Sequence, residues 1–260
     1  MKPLPASVKD YWQKRRVWDR YQEEQHPTIG AMLREQRLIT VAAVRDFAAL
    51  RPGPVDVADL CCGTGWIAND LMQLGRLHSL LAADVNEEAL HRLETEATRL
   101  GLQNKLQTRS GDLYRMDWGA EKSFDVILCM DALHHLPDIP GMLEGIRARL
   151  KDDGIFVGNI RAKEGANQFF DRYGPLKRTL IRMQPLMDRV LAERSALRRW
   201  LGSIGYFRIL TFSKVEVERL LAESGFSIQQ SASGGYHWFV CGKSTLGHDA
   251  NSPRIRYGVP

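Results

Sequence analysis

The chain has 260 residues, of which 44% are hydrophobic and 26% are charged. That composition is typical of a globular protein with one large domain or two small ones. No apolar run approaches the roughly 20 residues that a membrane-spanning helix needs. Residues 1–5 also lack the apolar centre of a secretory signal. We therefore expect a cytoplasmic protein without a membrane span.

The four cysteines agree with an intracellular location. Cys61 and Cys62 are adjacent, whereas Cys129 and Cys241 lie inside apolar runs. No pair has the spacing of metal ligands, and adjacent cysteines seldom form a disulfide. The sequence therefore predicts free thiols and no metal site.

Helices are predicted at 8–25 and 29–49, and together they make an N-terminal helical cap over residues 1–50. From residue 51 to residue 161 the pattern alternates between strand and helix. Strands are predicted at 55–60, 79–83, 105–109, 124–130 and 154–160, with helices at 66–74, 87–100 and 139–150. This alternation predicts an α/β core with a doubly wound, mostly parallel, Rossmann-like sheet.

The alternation stops after residue 161. Residues 162–210 carry no strand pattern and are predicted to form a helical lid insertion. Between Arg161 and Arg208 there are eleven Lys and Arg residues against four Asp and Glu, while the whole chain carries only +5. A segment this basic favours an anionic ligand or an acidic partner protein.

Residues 211–243 are predicted to complete the core. Ser213 and Glu216 have the spacing of a capping box, which begins a helix that reaches Glu223. Residues 226–231 and 236–241 flank a Ser-Gly-Gly turn and predict an antiparallel hairpin. The polar residues 244–260 are expected to form a flexible tail.

A glycine-rich turn follows the first predicted strand. Gly63 and Gly65 allow a ligand to approach the backbone and the N–H groups at the start of the next helix. Asp84 closes the second strand beside this turn, where a carboxylate can accept hydrogen bonds from ribose hydroxyls. These features alone fit an NAD-dependent dehydrogenase as well.

Two further carboxylates and the hairpin argue against NAD. Asp59 lies just before the turn, where it would repel a pyrophosphate but favour a cationic sulfonium or amino group. Asp112 follows the third strand, where it can accept a hydrogen bond from an adenine amino group. A dinucleotide-binding fold would continue with parallel strands instead of a hairpin.

Several runs together resemble the class I S-adenosylmethionine-dependent methyltransferase family, over residues 55–160 and 213–243. They are Val57-Ala58-Asp59-Leu60-Cys61-Cys62-Gly63-Thr64-Gly65, Ala83-Asp84-Val85-Asn86, Gly111-Asp112-Leu113, Phe124–Met130 with Leu133–Leu136, and Leu150–Ile155. Each run alone is common, but jointly they are specific. The resemblance implies a seven-stranded sheet whose last strand is antiparallel. The chain departs from the family at Cys61, where a glycine is frequent.

The resemblance also implies which residues bind the cofactor, S-adenosylmethionine. It assigns the methionine part to Asp59 and to the loop that contains Cys61, Gly63 and Gly65, with Met130 beneath. It assigns the ribose to Asp84 with Val85 beside it, and the adenine to Asp112 and Leu113.

The methyl acceptor is expected at the carboxyl edge of the sheet, beside the cofactor. A general base accelerates transfer to a hydroxyl or an acidic carbon, and the candidate catalytic residues are Asp131, His134 and His237. His134 belongs to the run Leu133–Leu136, which is predicted to open a helix. Further candidates for lining the site are His135, Arg161 and Tyr206.

These features imply a methyltransferase that acts on O, N or C of a small-molecule acceptor, and the basic lid favours an anionic or carrier-bound one. The alternative is an RNA or protein methyltransferase that uses the lid. Because the Asn/Asp-Pro-Pro-aromatic and Pro-Cys signatures of base methylation are absent, we do not expect nucleic acid as a partner. The intact Asp59, Gly63, Gly65, Asp84 and Asp112 disfavour a non-catalytic binding protein. The sequence leaves the acceptor atom and the oligomeric state open.

Overall fold

The computed structural model describes residues 12–13, 27–163 and 210–244. Its helices are α1 (Pro27–Ala49), α2 (Trp66–Met72), α3 (Glu87–Arg99), α4 (Ile139–Arg149) and α5 (Lys214–Glu223). Its strands are β1 (Val55–Leu60), β2 (Leu77–Asp84), β3 (Leu106–Ser110), β4 (Phe124–Cys129), β5 (Leu150–Arg161), β6 (Phe226–Ser233) and β7 (Tyr236–Lys243). Most of the predicted helix 8–25, the predicted lid from 164 to 209 and the predicted tail from 245 onward lie outside the described residues.

The seven strands form one sheet in the order β3-β2-β1-β4-β5-β7-β6. Neighbouring strands from β3 to β5 are parallel, whereas β7 runs antiparallel to both β5 and β6. This confirms the predicted doubly wound sheet with an antiparallel last strand. Chain order reverses between β1 and β4, and ligands of open α/β sheets bind beside such a reversal.

The sheet has a hydrophobic core on each face. One core packs α1, α2 and α3 against residues such as Val57, Val126 and Val157. The other packs α4 and α5 against residues such as Ala58, Ile127 and Phe156. Because successive strand residues point to opposite faces, the odd-numbered positions of β1 and β5 face the α1 side. This alternation decides which side chains at the strand ends meet one another.

Several predicted boundaries differ from the structure by a few residues, and two differences matter for the site. The run Leu133–Leu136 does not open the following helix, because Leu133–His135 forms a separate short 3-10 turn. Helix α4 begins at Ile139 as predicted, and there the Asp138 side chain accepts a hydrogen bond from the Gly141 N–H at 3.0 Å. Strand β5 begins at Leu150 rather than Gly154, because Leu150 pairs with Phe124 before the register shifts. No described helix is both long and apolar enough to cross a lipid bilayer.

Candidate active site

A cavity of about 460 Å³ lies where the carboxyl ends of the parallel strands meet. Its volume is within the range of small-molecule sites, roughly 300–1,000 Å³. The described residues that line it include eleven that the sequence predicts for the site: Asp59, Cys61, Gly63, Asp84, Val85, Asp112, Leu113, Met130, Asp131, His135 and Arg161. The structure therefore brings together residues from five separate strand ends. Gly65, His134 and His237 are not among the described lining residues.

The glycine-rich turn is built from left-handed backbone. Cys61, Gly63 and Gly65 have φ angles of 57°, 55° and 75°, a region in which a side chain is strained. A glycine at position 61 would relieve that strain, which gives a physical reason for the residue frequent in the resembled family. Gly65 lies just before α2, and a Cβ there would be 2.3 Å from Leu93 Cδ1. Gly65 therefore lets α2 and α3 approach beneath the turn.

Substituting Gly65→Ala is expected to destabilise the protein markedly. The left-handed conformation costs roughly 1–2 kcal/mol for a side chain, and crowding the buried Leu93 adds about 1–3 kcal/mol. Urea unfolding measures the loss, with Gly53→Ala as the matched control, since a Cβ at Gly53 meets nothing within 4 Å. Equal free energies of unfolding for the two variants would contradict this role of Gly65.

Asp84 orders the turn from the end of β2. Its Oδ2 accepts a hydrogen bond from the Gly63 N–H at 2.9 Å, and its Oδ1 accepts one from the Asn86 N–H at 2.8 Å. Burial raises the pKa of this carboxyl group, while the N–H donors of Asn86, Gly63 and Val85 oppose the rise. Asp84 thus links the turn to the β2 loop and keeps further lone pairs for a ligand at the cavity wall.

Asp59 is a second buried carboxylate at the same wall, with 3% of its surface exposed. Burial, together with the negative charge of Asp84, raises its pKa to about 7. Among the described residues no cation pairs with Asp59. Such a carboxylate favours a positively charged ligand, because a cation offsets the desolvation of the ionised form. A sulfonium with an adjacent amino group has the required charge.

Another part of the cavity wall, away from Asp59, carries mostly apolar groups. Leu113 and Val85 lie on its wall, and Asp112 Oδ1 accepts a hydrogen bond from the Tyr114 N–H at 3.0 Å. Asn86 Nδ2 donates to the Trp12 carbonyl oxygen at 2.6 Å, which holds Trp12 at the β2 loop. Apolar side chains such as Leu113 and Val85 can enclose a flat heteroaromatic ring.

Asp131 lines the cavity and directly follows Met130 in the chain. Its φ of 52° places it in the left-handed region, and its side chain is 35% exposed. Its Oδ1 is 3.5 Å from Nε2 of the fully buried His134. Burial, followed by the charges of His135 and Arg161, lowers the pKa of His134 well below its usual value. His134 is therefore a neutral neighbour of the Asp131 carboxyl group.

Tyr236 and Arg161 complete the surroundings of Asp131. Arg161 lines the cavity, and its Nη2 donates to the Tyr236 hydroxyl at 3.1 Å. Burial, followed by the charge of Asp131, raises the pKa of Tyr236 well above its usual value. Tyr236 therefore remains a neutral phenol, which hydrogen-bonds to Asp131 as well as to Arg161.

His237 is not placed at the cavity. Its Nε2 lies 3.0 Å from the Phe212 carbonyl oxygen and its Nδ1 lies 3.1 Å from Ser233 Oγ. The reason is strand alternation, because Tyr236 pairs with Arg161 on the α1 side while His237 points to the opposite face. Tyr206, the other candidate from the C-terminal half, lies outside the described residues.

Sequence reasoning missed several lining residues, among them a pair of hydrogen-bonded amides. Asn159 is fully buried near the end of β5, and Gln36 reaches it from α1. Both line the cavity. Asn159 could have been singled out, because an amide at the carboxyl end of an otherwise apolar strand must have a polar partner. Gln36 gave no comparable signal within its helix.

The four cysteines carry free thiols. Cys61 and Cys62 line the cavity, whereas Cys129 and Cys241 are buried in the sheet. Among the residues that the structure describes, no group of three or more His, Cys, Asp or Glu side chains is arranged to hold a metal ion.

Comparisons with known sequences agree with this geometry. A family model described as a methyltransferase domain matches residues 57–154. The chain is 31% identical over 110 residues to demethylmenaquinone methyltransferase of Lactobacillus johnsonii, covering 42% of this chain and 44% of that protein. It is 32% identical over 107 residues to a sterol 24-C-methyltransferase of Gibberella zeae, covering 41% and 27%. The chain thus matches less than half the length of these relatives.

Solved structures share the fold over most of the chain. Magnesium protoporphyrin IX methyltransferase of Synechocystis, with bound SAH, has a TM-score of 0.59 at 19% identity, covering 90% of this chain and 96% of that one. The 1,6-didemethyltoxoflavin-N1-methyltransferase of Burkholderia thailandensis, with substrate and S-adenosylhomocysteine bound, has a TM-score of 0.58 at 17% identity, covering 94% and 93%. At these identities the likeness establishes the fold.

Proposed function

We propose that this chain, whose residues 57–154 match a family model described as a methyltransferase domain, is a class I S-adenosylmethionine-dependent methyltransferase that transfers the methyl group of S-adenosylmethionine to a small-molecule acceptor. The observation that carries the proposal is the pair of buried carboxylates, Asp59 and Asp84, at the wall of a 460 Å³ cavity. Their charge suits a cationic cofactor and disfavours a pyrophosphate.

The residues present fit that cofactor from end to end. Asp59 and the turn with Gly63 would hold the methionine part, with Met130 beneath it. Asp84 would accept hydrogen bonds from the ribose, and Val85 and Leu113 would enclose the adenine. The bound cofactor supplies an activated methyl carbon with a neutral thioether as leaving group. The protein's own contribution is therefore alignment of the acceptor and exclusion of water.

The acceptor would lie beyond Met130, between Asp131 and Arg161. Asp131 is a partly exposed carboxylate on the cavity wall and can take the proton of an acceptor hydroxyl, an amine or an acidic carbon. Arg161 supports an acceptor that carries or develops negative charge, since its buried guanidinium lines the same space. The relatives are named for activity on demethylmenaquinone, sterol and 1,6-didemethyltoxoflavin, which supports a small organic acceptor.

Ligand-induced stabilisation tests the proposal. S-adenosylhomocysteine is expected to raise the thermal midpoint, because a ligand at one hundred times its dissociation constant adds about 2.7 kcal/mol to the free energy of unfolding. NAD is expected to leave the midpoint unchanged. Transfer of radiolabelled methyl groups into a small-molecule extract, compared with RNA and protein fractions, then identifies the acceptor class. A midpoint raised only by NAD would refute the cofactor, and label found only in RNA or protein would refute the small-molecule acceptor.

A further inference from the structure

The structure assigns Asn159 a positioning role in methyl transfer, one that rests on the proposed function. Asn159 lies on β5, on the face of the sheet that α1 covers, and its side chain joins two elements that are far apart in sequence. Its Oδ1 accepts a hydrogen bond from the Asp131 N–H at 2.6 Å. Its Nδ2 donates to Gln36 Oε1 at 2.5 Å. This amide fixes the direction of the Asp131 carboxylate toward the acceptor.

The first argument concerns the backbone of Asp131. A left-handed non-glycine residue is held against a cost of roughly 1–3 kcal/mol and persists only where its surroundings fix it. Asp131 has this conformation at a φ of 52°, and the hydrogen bond to Asn159 is its backbone N–H contact. Without the amide oxygen, the turn would relax and the carboxylate would leave its present direction.

The second argument concerns burial. Asn159 is fully buried, and a buried amide stabilises a structure little unless each of its groups has a partner. Both groups are used here, one on a turn at the cavity and the other on α1. An apolar residue would pack equally well in a strand interior. The amide therefore has its clearest use in linking the α1 wall of the cavity to Asp131.

The third argument concerns cofactor affinity, which we do not expect to depend on Asn159. Asp59, Asp84 and Gly63 would hold the methionine and ribose end, and the hydrogen bonds of Asp84 with Gly63 and Asn86 do not involve Asn159. A change at Asn159 is thus expected to alter transfer and leave cofactor affinity nearly intact. That split distinguishes positioning from a general loss of structure.

The test compares Asn159→Leu, which removes both hydrogen bonds, with Asn159→Asp, which keeps an oxygen for the Asp131 N–H. Asn69→Leu makes the same change outside the described cavity wall, at an amide whose Oδ1 has no partner among the described residues. Methyl transfer is measured with the active small-molecule fraction, S-adenosylhomocysteine affinity by calorimetry, and the Asp131 amide proton by nuclear magnetic resonance.

We expect Asn159→Leu to transfer about 100-fold more slowly, the size of effect that a misplacement of about 1 Å produces. Its S-adenosylhomocysteine affinity should stay within about threefold, and Asn159→Asp should recover about tenfold of the lost rate. The Asp131 amide proton, shifted downfield by its short hydrogen bond in the wild type, should move upfield only in Asn159→Leu. Wild-type transfer by Asn159→Leu, or no recovery in Asn159→Asp, would overturn the proposal.

The amide resonance also keeps this inference distinguishable from the proposed function. If the wild type binds S-adenosylhomocysteine but methylates nothing, the function fails while the resonance still reports whether Asn159 holds Asp131. An Asp131 amide proton unchanged in Asn159→Leu would overturn the positioning role even in an active enzyme.

Discussion

Replacing Asp59 with asparagine is expected to make the unliganded protein more stable at pH 8 and to abolish its response to S-adenosylhomocysteine. The pKa of Asp59 in the folded state is about 7, against 3.8 for the unperturbed group. The folded protein therefore retains a proton that the unfolded chain releases, and stability falls as the pH rises from about 4 to 7. At pH 8 the folded protein bears the full free-energy cost of ionising the buried Asp59. That cost is about 1.4 kcal/mol for each tenfold difference in proton affinity between the folded and unfolded states.

The asparagine variant carries no such cost, so its thermal midpoint at pH 8 should rise by several degrees, at roughly 2–4 °C per kcal/mol. Asp56→Asn is the matched control on the same strand. Burial raises the pKa of Asp56, but hydrogen bonds from Ser79 and His78 and the charge of Lys151 outweigh burial and lower that pKa overall. Its loss should therefore lower the midpoint at pH 8 while the response to S-adenosylhomocysteine persists.

The same carboxylate predicts a pH dependence of cofactor binding. A cation beside Asp59 favours its ionised form, so binding should release a proton near pH 6 and tighten as the pH rises through 7. Calorimetry in two buffers of different ionisation enthalpy measures the release directly. A pH-independent affinity in the wild type, or proton release that persists in Asp59→Asn, would show that the cofactor's charge is not sensed at Asp59.

Local sequence was enough to bring together the residues that we propose to bind the cofactor. Asp59, Gly63 and Gly65 lie within one strand-turn-helix segment, so their proximity follows from chain connectivity. Asp84 joins them because parallel strands end at a common edge. The alternation of strand and helix also predicted a doubly wound, mostly parallel sheet, whereas the strand order β3-β2-β1-β4-β5-β7-β6 came from the structure.

The acceptor end required the structure, because it depends on contacts between distant residues. Gln36 and Asn159 meet across more than a hundred residues, and no pattern in either segment indicates the other. The choice between Tyr236 and His237 depends on the register of β7 against β5, which places Tyr236 opposite Arg161. A shift of one residue exchanges the two faces, so the sequence alone favoured the more reactive side chain over the correctly oriented one.

Strain at Asp131 was likewise invisible in the sequence. Its left-handed φ follows from the way β4 ends against Asn159 and not from a turn motif. Asparagine adopts this conformation readily, so Asp131→Asn preserves both the backbone and the shape of the side chain. The variant therefore removes the charge and little else.

Asp131→Asn is expected to lower the rate of methyl transfer by roughly 10²–10⁴-fold, the usual contribution of a general base. S-adenosylhomocysteine affinity should be unchanged, because Asp59 and Asp84 remain in place. Asp117→Asn, the same change at a residue outside the described cavity wall, should transfer at the wild-type rate.

The pH profile distinguishes loss of a base from loss of shape. In the wild type transfer should proceed at a pH where the acceptor keeps its own proton, and in Asp131→Asn the remaining rate should rise only where the acceptor itself loses its proton. If Asp131→Asn transferred at the wild-type rate, no base would be needed at this position. The carboxylate would then serve to orient the acceptor beside Arg161, and the acceptor would be a group that is already nucleophilic at neutral pH.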